Sequence, residues 1–288
     1  MIAVAALFSI NYIISKVAMH SFAPLSFAWL RVAGAAIVLN VVVPGRGFTR
    51  ADSWKIAGFA ILGVVLNQTM FLAGLSLTSA HVASILITTI PIFTLIVAIV
   101  LGLERTTVTK VAGIALALTG ALLVVSGEGM AGLTDAMAGT LLIIGNCMAY
   151  AIYLVVSKPV VSRLSPARVI SRMFAVGAVL MLPIALPSLL REDFQAIPQS
   201  AWVGLGLVIA GPTVGAYLIS AWALKYAESS LVAVYSYVQP VLTTILAWAF
   251  LGEQIRWIVA VAGLMIFAGV ALASRGPRTE DRGQAVLE

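Results

Sequence analysis

Two stretches of this chain share one design, and they constrain its fold more than any other feature. Residues 80–104 and 229–253 each contain a long apolar run, a proline near its middle and a glutamate after the last apolar turn. A shift of 149 positions places Pro91 on Pro240 and Glu104 on Glu253. Self-similarity over so long a stretch indicates an internally repeated architecture. We therefore predict that the chain contains two related halves.

Composition places the chain in the membrane class. Hydrophobic residues make up 61% of it and charged residues 10%, with a mean hydropathy of +1.09, whereas soluble domains carry about 25% charged residues. Its apolar runs are long enough to cross a hydrocarbon core of about 30 Å. We predict an all-α integral membrane protein with ten transmembrane helices, at about 2–20, 25–43, 54–76, 80–101, 108–126, 137–157, 167–190, 201–223, 230–251 and 256–274.

The repeat extends over the whole chain. The offset between the halves is 142 in their first two spans and 149 in their last three, so the second half has seven extra residues, which are most simply placed in the loop at 188–200. Because each repeat has five spans, the second copy is predicted to enter the membrane inverted, around a central cavity. The predicted organisation is a first five-helix repeat (1–126), a connecting loop (127–136), an inverted repeat (137–274) and a disordered cytoplasmic tail (275–288).

Basic residues indicate the orientation. Thirteen of the 17 Lys and Arg residues fall on one side of the predicted membrane, and only Arg191 and Arg256 fall in connections on the other side. The positive-inside rule therefore predicts that both termini are cytoplasmic. The net charge of +6 is spread over short connections, so it does not form the single basic face that a nucleic-acid-binding protein needs.

The sequence offers little for chemistry on a substrate. The one cysteine, Cys147, lies inside an apolar run, so neither an intrachain disulfide nor a metal cluster is predicted. A nucleophile elbow, a His-Glu-x-x-His helix and paired aspartates at membrane depth are all missing from the sequence. We predict no catalytic residue, no metal and no cofactor, and the protein is not expected to be an enzyme.

Polar and aromatic side chains recur on one face of several spans. Asn146, Tyr150, Tyr153 and Ser157 follow helical spacing, and the repeat-related spans carry similar stripes. Such a surface suits a small zwitterion with an apolar or aromatic side chain, although a single hydroxyl such as Ser220 could instead join helices. The predicted substrate-cavity residues are Phe8, Asn11, Ser15, Gln68, Thr88, Asn146, Tyr150, Tyr153, Tyr217, Ser220 and Tyr237.

Two cations and two prolines inside spans leave alternatives open. Lys16 and Arg31 could bind a substrate carboxylate or could be structural, pairing with carbonyl groups or a helix end. Pro91 and Pro240 are predicted to kink their helices, because proline removes a backbone hydrogen bond. Each kink could be a hinge that closes one end of the cavity or a static bend that shapes it.

Several of these features together resemble one family. A Pro-bearing fourth helix ends in Leu103-Glu104 in one half and in Leu251-Gly252-Glu253 in the other, and each is followed by a glycine-rich fifth helix. This pattern, with Arg31 and Arg172 in the second spans, resembles the drug/metabolite transporter superfamily, EamA branch. Within it the chain is most similar to bacterial inner-membrane exporters of aromatic amino acids. The resemblance implies ten helices, cytoplasmic termini, a central substrate cavity and export of small metabolites.

The expected function is export of amino-acid-like metabolites, aromatic and neutral amino acids foremost, by alternating access. The predicted spans contain no aspartate or glutamate at membrane depth, which favours a facilitator or exchanger over a proton-coupled antiporter. Export of phosphorylated metabolites or cationic drugs, or a non-transporting membrane scaffold, are the alternatives. The expected partners are a small-molecule substrate and the lipid bilayer of a bacterial inner membrane. The oligomeric state is left open and a monomer is compatible with the sequence.

Overall fold

The chain is helical throughout the residues that its computed structural model describes, which are 2–44, 47–104, 106–129, 135–226, 239–254 and 256–273. Ten helices account for most of these residues, and no strand is found among them. The helices are α1 (Ile2–Ala18), α2 (Pro24–Val42), α3 (Arg50–Leu77), α4 (Ala80–Val100), α5 (Val108–Gly129), α6 (Asp135–Arg163), α7 (Pro166–Leu189), α8 (Gln199–Tyr226), α9 (Gln239–Leu251) and α10 (Trp257–Ala273).

The lengths of the helices fit a protein of the membrane class. Six of them, α2, α3, α4, α6, α7 and α8, are long and apolar enough to cross a membrane. In α1, α5, α9 and α10 the apolar stretch found within the described residues is shorter, between 10 and 17 residues. The prediction of an all-helical protein is therefore confirmed for the described residues, and six of its helices are candidate membrane spans. The predicted tail at 275–288 lies outside the described residues.

Four helices, α3, α5, α6 and α8, extend by two residues or more beyond their predicted spans. The span predicted at 54–76 belongs to α3, which begins at Arg50, and the spans predicted at 137–157 and 201–223 belong to α6 and α8. The predicted spans are apolar runs, which end at the first polar residues. A helix can continue past that point, because its backbone hydrogen bonds do not require apolar side chains. At α3, the Thr49 side chain accepts a hydrogen bond from the Asp52 N–H and so caps a polar first turn.

Helix α4 is broken just before Pro91. It consists of Ala80–Ile87 and Ile90–Val100, with a turn at Thr88 and Thr89 between them. Because proline lacks an N–H and its ring crowds the carbonyl four residues earlier, regular winding is interrupted there. The predicted irregularity at Pro91 is thus present as a break. Pro240 is the second residue of α9, and the residues before Gln239 lie outside those described.

Helices α3 and α8 share an irregularity that was not predicted from the sequence. A π-helical segment spans Ile61–Leu66 in α3, and another spans Ile209–Gly215 in α8. The repeat offset of 149 places the first segment on residues 210–215, inside the second segment. In a π-helix the hydrogen bonds run over five residues, and such turns are frequent at functional sites. Helices α3 and α8, which the predicted repeat pairs with each other, therefore deviate from α-geometry at matching positions.

The helices pack closely where glycine allows it. Helix α5 lies along α10, and α2 lies along α7. A Cβ atom on Gly113 would collide with the Gly269 carbonyl oxygen, and one on Gly269 would lie 2.5 Å from the Ala117 nitrogen. Backbone therefore meets backbone, which only residues without a side chain permit. This contact explains why the fifth helix of each half contains glycine.

Candidate functional site

A cavity lies among helices from both halves of the chain. Its empty volume, part of which is open to solvent, is about 460 Å³. The residues around it come from α1, α2, α3, α4, α6, α8 and α9. They are Phe8, Asn11, Tyr12, Arg31, Asn67, Gln68, Phe71, Ile87, Ile90, Asn146, Tyr150, Tyr217 and Gln239.

The structure brings together about half of the residues predicted for the site. Six of the predicted cavity residues line it: Phe8, Asn11, Gln68, Asn146, Tyr150 and Tyr217. Arg31 lines it as well, whereas Lys16 lies elsewhere. Ser15, Thr88, Tyr153 and Ser220 are buried but are not among its lining residues. Tyr237 lies outside the described residues.

Three of the predicted residues instead contact neighbouring helix atoms. The Ser15 hydroxyl donates to Asn11 Oδ1 at 3.0 Å. The Thr88 hydroxyl donates back to the Ile85 carbonyl at 2.5 Å, next to the break in α4. The Tyr153 ring packs on Gly63, where a Cβ atom would approach the ring to 2.9 Å. The prediction therefore assigned these residues to helices that do line the cavity, but contacts within the helices or with neighbouring helices direct their side chains away from it.

Six residues that line the cavity were not predicted from the sequence. Tyr12, Phe71, Ile87 and Ile90 are apolar or aromatic, so nothing in their spacing separates them from helix packing. Asn67 and Gln239 are polar residues within predicted spans, and both are buried. Polar residues in such positions are a sequence feature from which they could have been predicted as cavity residues. In an α-helix, consecutive side chains point about 100° apart, so helical spacing alone does not place Asn67 on the same face as Gln68. Asn67 directly follows the π-helical segment of α3.

Hydrogen bonds connect α3, α6 and α8 on one side of the cavity. Gln68 Nε2 donates to the Tyr217 hydroxyl at 2.8 Å. That hydroxyl in turn lies 2.8 Å from Asn67 Oδ1 and 3.2 Å from the Gly63 carbonyl oxygen, either of which can accept its proton. Asn146 Nδ2 donates to the Asn67 carbonyl at 2.8 Å. Two of these acceptors are backbone carbonyls at or beside the π-helical segment, where the regular ladder is interrupted.

Arg31 is held at the cavity wall by α8. Its Nε donates to Thr213 Oγ1 at 2.6 Å, and the Thr213 hydroxyl donates to the Val208 carbonyl at 2.7 Å. Its side chain is among the largest fully buried ones. At the offset of 142, its counterpart in the second half is Met173, which is also buried, while Arg172 is exposed. The basic residue at this wall therefore comes from the first half alone.

Three polar atoms at the cavity are buried without a hydrogen-bond partner among the described residues. They are Arg31 Nη1, Gln68 Oε1 and Asn146 Oδ1. The three residues are exposed by only 1%, 2% and 1%. Buried polar groups in folded proteins are nearly always paired. Three of the nine unpaired buried atoms found among the described residues therefore line this one cavity, which makes it a candidate ligand site.

Aromatic rings form another part of the wall. Tyr217 meets Tyr150 at a centroid distance of 6.4 Å and Phe8 at 6.5 Å, both edge to face. Tyr12 meets Phe71 edge to face at 5.3 Å. These distances lie in the range that aromatic pairs prefer. The cavity therefore offers flat apolar surface next to its amide groups.

Lys16 belongs to a second polar cluster at the end of α1. Its ammonium contacts the carbonyls of Leu75 (3.3 Å) and Thr78, and lies 3.9 Å from Glu253 Oε1. These contacts match the structural role left open for Lys16, since carbonyl groups and a helix-end carboxylate are its partners.

Glu253 caps the start of α4 from the connection after α9. Its carboxylate accepts hydrogen bonds from the backbone N–H groups of Ala80 (2.8 Å) and His81 (3.1 Å), and lies 2.7 Å from His81 Nδ1. A carboxylate is favourable at a helix N-terminus, where N–H groups lack partners. Burial alone would raise the pKa of Glu253, but the hydrogen bonds from the His81 ring and the two N–H groups outweigh it and lower the pKa.

Comparison with known proteins places the chain among transporters. It is 28% identical over 269 residues to an uncharacterized transporter of Archaeoglobus fulgidus, covering 92% of each chain. It is 24% identical over 268 residues to the uncharacterized inner membrane transporter YedA of Escherichia coli K12, covering 90% of this chain and 85% of that one. A solved crystal structure at 21% identity superimposes with a TM-score of 0.66 over 95% of this chain and 96% of the other, which shows a shared fold.

The family match covers nearly the whole chain. The profile of the EamA-like transporter family matches residues 1–126 and 137–275. This match confirms the resemblance that was inferred from the Pro-bearing fourth helices and their terminal glutamates. The chain therefore belongs to the EamA-like transporter family.

Proposed function

We propose that this protein is a bacterial inner-membrane carrier that exports small amino-acid-like metabolites, aromatic and neutral amino acids foremost, by alternating access. The observation that carries the proposal is the cavity itself, whose wall combines amides, aromatic rings and one buried cation between the two halves. Amide groups replace part of the hydration shell of a polar headgroup, and rings contact an apolar side chain.

The helices around the cavity support a mechanism in which the two halves move. Helix α4 is broken beside Ile87 and Ile90, which line the cavity, and α3 and α8 both contain π-helical segments. Discontinuous helices at the substrate site are a recurring feature of transporters built from repeats. Such interruptions let one part of a helix tilt without unwinding the rest. We propose that both termini are cytoplasmic, as the distribution of basic residues predicts.

The contacts between helices are compatible with an inverted repeat. Helix α1 packs against α9, and α4 packs against α6. In the predicted repeat, α1 corresponds to α6 and α4 corresponds to α9. The contact between α1 and α9 is therefore the counterpart of the contact between α6 and α4. Pairs α2–α7 and α5–α10 are then each formed by corresponding helices. This pattern is expected for two repeats related by a pseudo-two-fold axis.

The charge of the cavity favours small organic substrates and no tight proton coupling. None of its described lining residues is acidic, although proton-driven carriers usually place a carboxylate or histidine at membrane depth. This supports a facilitator or exchanger. A phosphorylated substrate would call for several converging cations, whereas Arg31 is the one basic residue among those described at this wall.

Counterflow in proteoliposomes tests the proposal. Vesicles are preloaded with unlabelled phenylalanine, and entry of labelled phenylalanine is followed with and without an ionophore that collapses the pH gradient. We expect accumulation that depends on the internal amino acid and survives the ionophore. Asn146→Leu, at the cavity, should lower the rate at least tenfold, whereas Asn40→Leu, at an exposed position of α2, should leave it unchanged.

Two results would contradict the proposal. One is the absence of counterflow with phenylalanine, tyrosine and a series of neutral amino acids when the purified protein is folded. The other is an equal rate for Asn146→Leu and Asn40→Leu, because the cavity would then have no part in transport.

A further inference from the structure

The three unpaired atoms at the cavity have complementary hydrogen-bonding roles. Arg31 Nη1 is a donor on a cation, whereas Gln68 Oε1 and Asn146 Oδ1 are acceptors. All three residues line the same cavity and are almost fully buried. A ligand that satisfies them must therefore present an acceptor to Arg31 and donors to the two amide oxygens.

The orientation of these side chains is fixed by their other contacts. The Gln68 amide nitrogen is bound to the Tyr217 hydroxyl, and the Asn146 amide nitrogen to the Asn67 carbonyl. Both amide oxygens are thereby left as acceptors. The Arg31 Nε is bound to Thr213, which leaves a terminal nitrogen of the guanidinium free of protein partners among the described residues.

The charged groups at the cavity further restrict which ligands can bind there. Among the described residues Arg31 forms no ion pair, and no acidic residue lines the described cavity. A buried guanidinium without a counterion is costly. A carboxylate is its best-matched partner, because the planar fork of N–H groups fits two carboxylate oxygens.

We infer that Arg31 is the residue that binds the substrate carboxylate, and that Gln68 and Asn146 are the residues that bind its ammonium group. The carboxylate then lies towards α2 and α8, the ammonium towards α3 and α6, and the aromatic wall receives the side chain. The inference rests on the proposed function and adds how the site selects its substrate: both charged groups of the zwitterion are required.

The discriminating experiment uses three ligands that share a phenylethyl skeleton and differ in their charged groups. Phenylalanine has both charged groups, phenethylamine lacks the carboxylate, and 3-phenylpropionate lacks the ammonium. Inhibition of labelled phenylalanine counterflow by each gives its relative affinity. For the wild-type protein we expect phenylalanine to bind at least tenfold more tightly than either analogue.

Substitutions assign each headgroup contact to its residue. Arg31→Met should weaken phenylalanine at least tenfold while leaving phenethylamine nearly unchanged, so the preference for the carboxylate disappears. Gln68→Leu and Asn146→Leu should each reduce the preference for phenylalanine over 3-phenylpropionate. Arg172→Met is the matched control, because Arg172 is exposed on α7, and it should leave all three affinities unchanged.

The possible failures are distinguishable. If the wild-type protein transports phenylalanine but binds phenethylamine as tightly, the inference is wrong and the proposed function stands. The same holds if Arg31→Met keeps the preference for the carboxylate. If phenylalanine is not transported at all, the proposed function fails first. Should Arg31→Met not fold, Arg31→Lys keeps the charge without the planar fork, and it should lower the phenylalanine affinity more than that of phenethylamine.

Discussion

Two glutamates that the predicted repeat places on each other, Glu104 and Glu253, have different partners. Glu253 follows α9 and bonds to the start of α4 through two backbone N–H groups and the His81 ring. Glu104 follows α4 and pairs with Lys110 of the same half at 2.8 Å. In the predicted orientation, Glu253 lies at the outer end of the bundle and Glu104 at the inner end.

The contacts of Glu253 join the two halves, whereas the described contact of Glu104 stays within the first. At the same end as Glu253, Glu192 of the second half accepts a hydrogen bond from the Ala23 N–H of the first at 3.2 Å. The other end has an ion pair between the halves, Asp52 with Arg163, but the Arg163 side chain is 57% exposed. Unequal ends are what we expect of a carrier whose two ends close in turn.

The largest expected effect comes from Glu253→Ala. It leaves two helix N–H groups and the His81 ring without their acceptor, so we expect a loss of about 3 kcal/mol in the free energy of unfolding. Glu104→Ala removes the acceptor of one charge-assisted bond and should cost about 1 kcal/mol. Denaturation of the purified protein in detergent measures both. Equal losses would remove the proposed difference between the ends.

Acid should weaken the Glu253 end selectively. Its carboxyl has a lower pKa in the folded protein than in the unfolded chain, because the hydrogen bonds outweigh burial. A lowered pKa gives stability that is present above the unfolded value, near 4.5, and is lost as the pH falls through the folded pKa. The stability difference between wild type and Glu253→Gln should therefore hold from pH 7 to 5 and shrink below that. A difference that grows in acid would contradict this assignment.

A smaller effect is expected from His81→Ala. It removes the ring contact to Glu253 but leaves both backbone hydrogen bonds in place, so the loss should be about 1 kcal/mol. His20→Ala is the matched control, because His20 is exposed at the end of α1. Thermal denaturation of both variants shows whether the ring contributes. A loss for His81→Ala as large as that for Glu253→Ala would make the ring, rather than the helix cap, the main contact.

The smallest effect is expected from Arg163→Met. The ion pair of Arg163 with Asp52 joins the halves at the other end, but the Arg163 side chain is exposed to solvent, and solvent-screened ion pairs contribute about 0.5 kcal/mol. Thermal stability should therefore remain close to that of the wild type. A loss comparable to that of Glu253→Ala would mean that both ends are held equally, and the contrast between them would disappear.

The regular part of the fold followed from the sequence, because long apolar runs have few alternatives in a bilayer. Pro91 indicated an irregularity in α4, since proline cannot take part in the helical ladder. The π-helical segment Ile61–Leu66 carried no such signal, as its residues are ordinary apolar ones. Its counterpart in α8 contains Pro212, so the repeat was the only sequence feature that could have suggested it.

The site followed from the sequence in part, where a polar stripe keeps to one helical face. Asn146 and Tyr150 lie four residues apart and both line the cavity. Asn67 was missed because it neighbours Gln68, and Thr88 was misplaced because its hydroxyl bonds within its own broken helix. Whether a side chain of a helix reaches the cavity depends on backbone geometry and on the neighbouring helices. The spacing of residues in the sequence gives no information on either.

Access to the cavity from both sides of the membrane would distinguish an alternating-access carrier from other membrane proteins. Phe71→Cys places a thiol at the cavity wall, in a Cys147→Ala background that removes the native cysteine. A membrane-impermeant thiol reagent is added to one side or the other of oriented vesicles, with and without phenylalanine. We expect modification from either side and slower modification with phenylalanine, whereas Leu103→Cys, at an exposed position in the connection after α4, should be modified at a rate that does not respond to phenylalanine. Modification of Phe71→Cys from one side only, at a rate independent of phenylalanine, would contradict an alternating-access carrier.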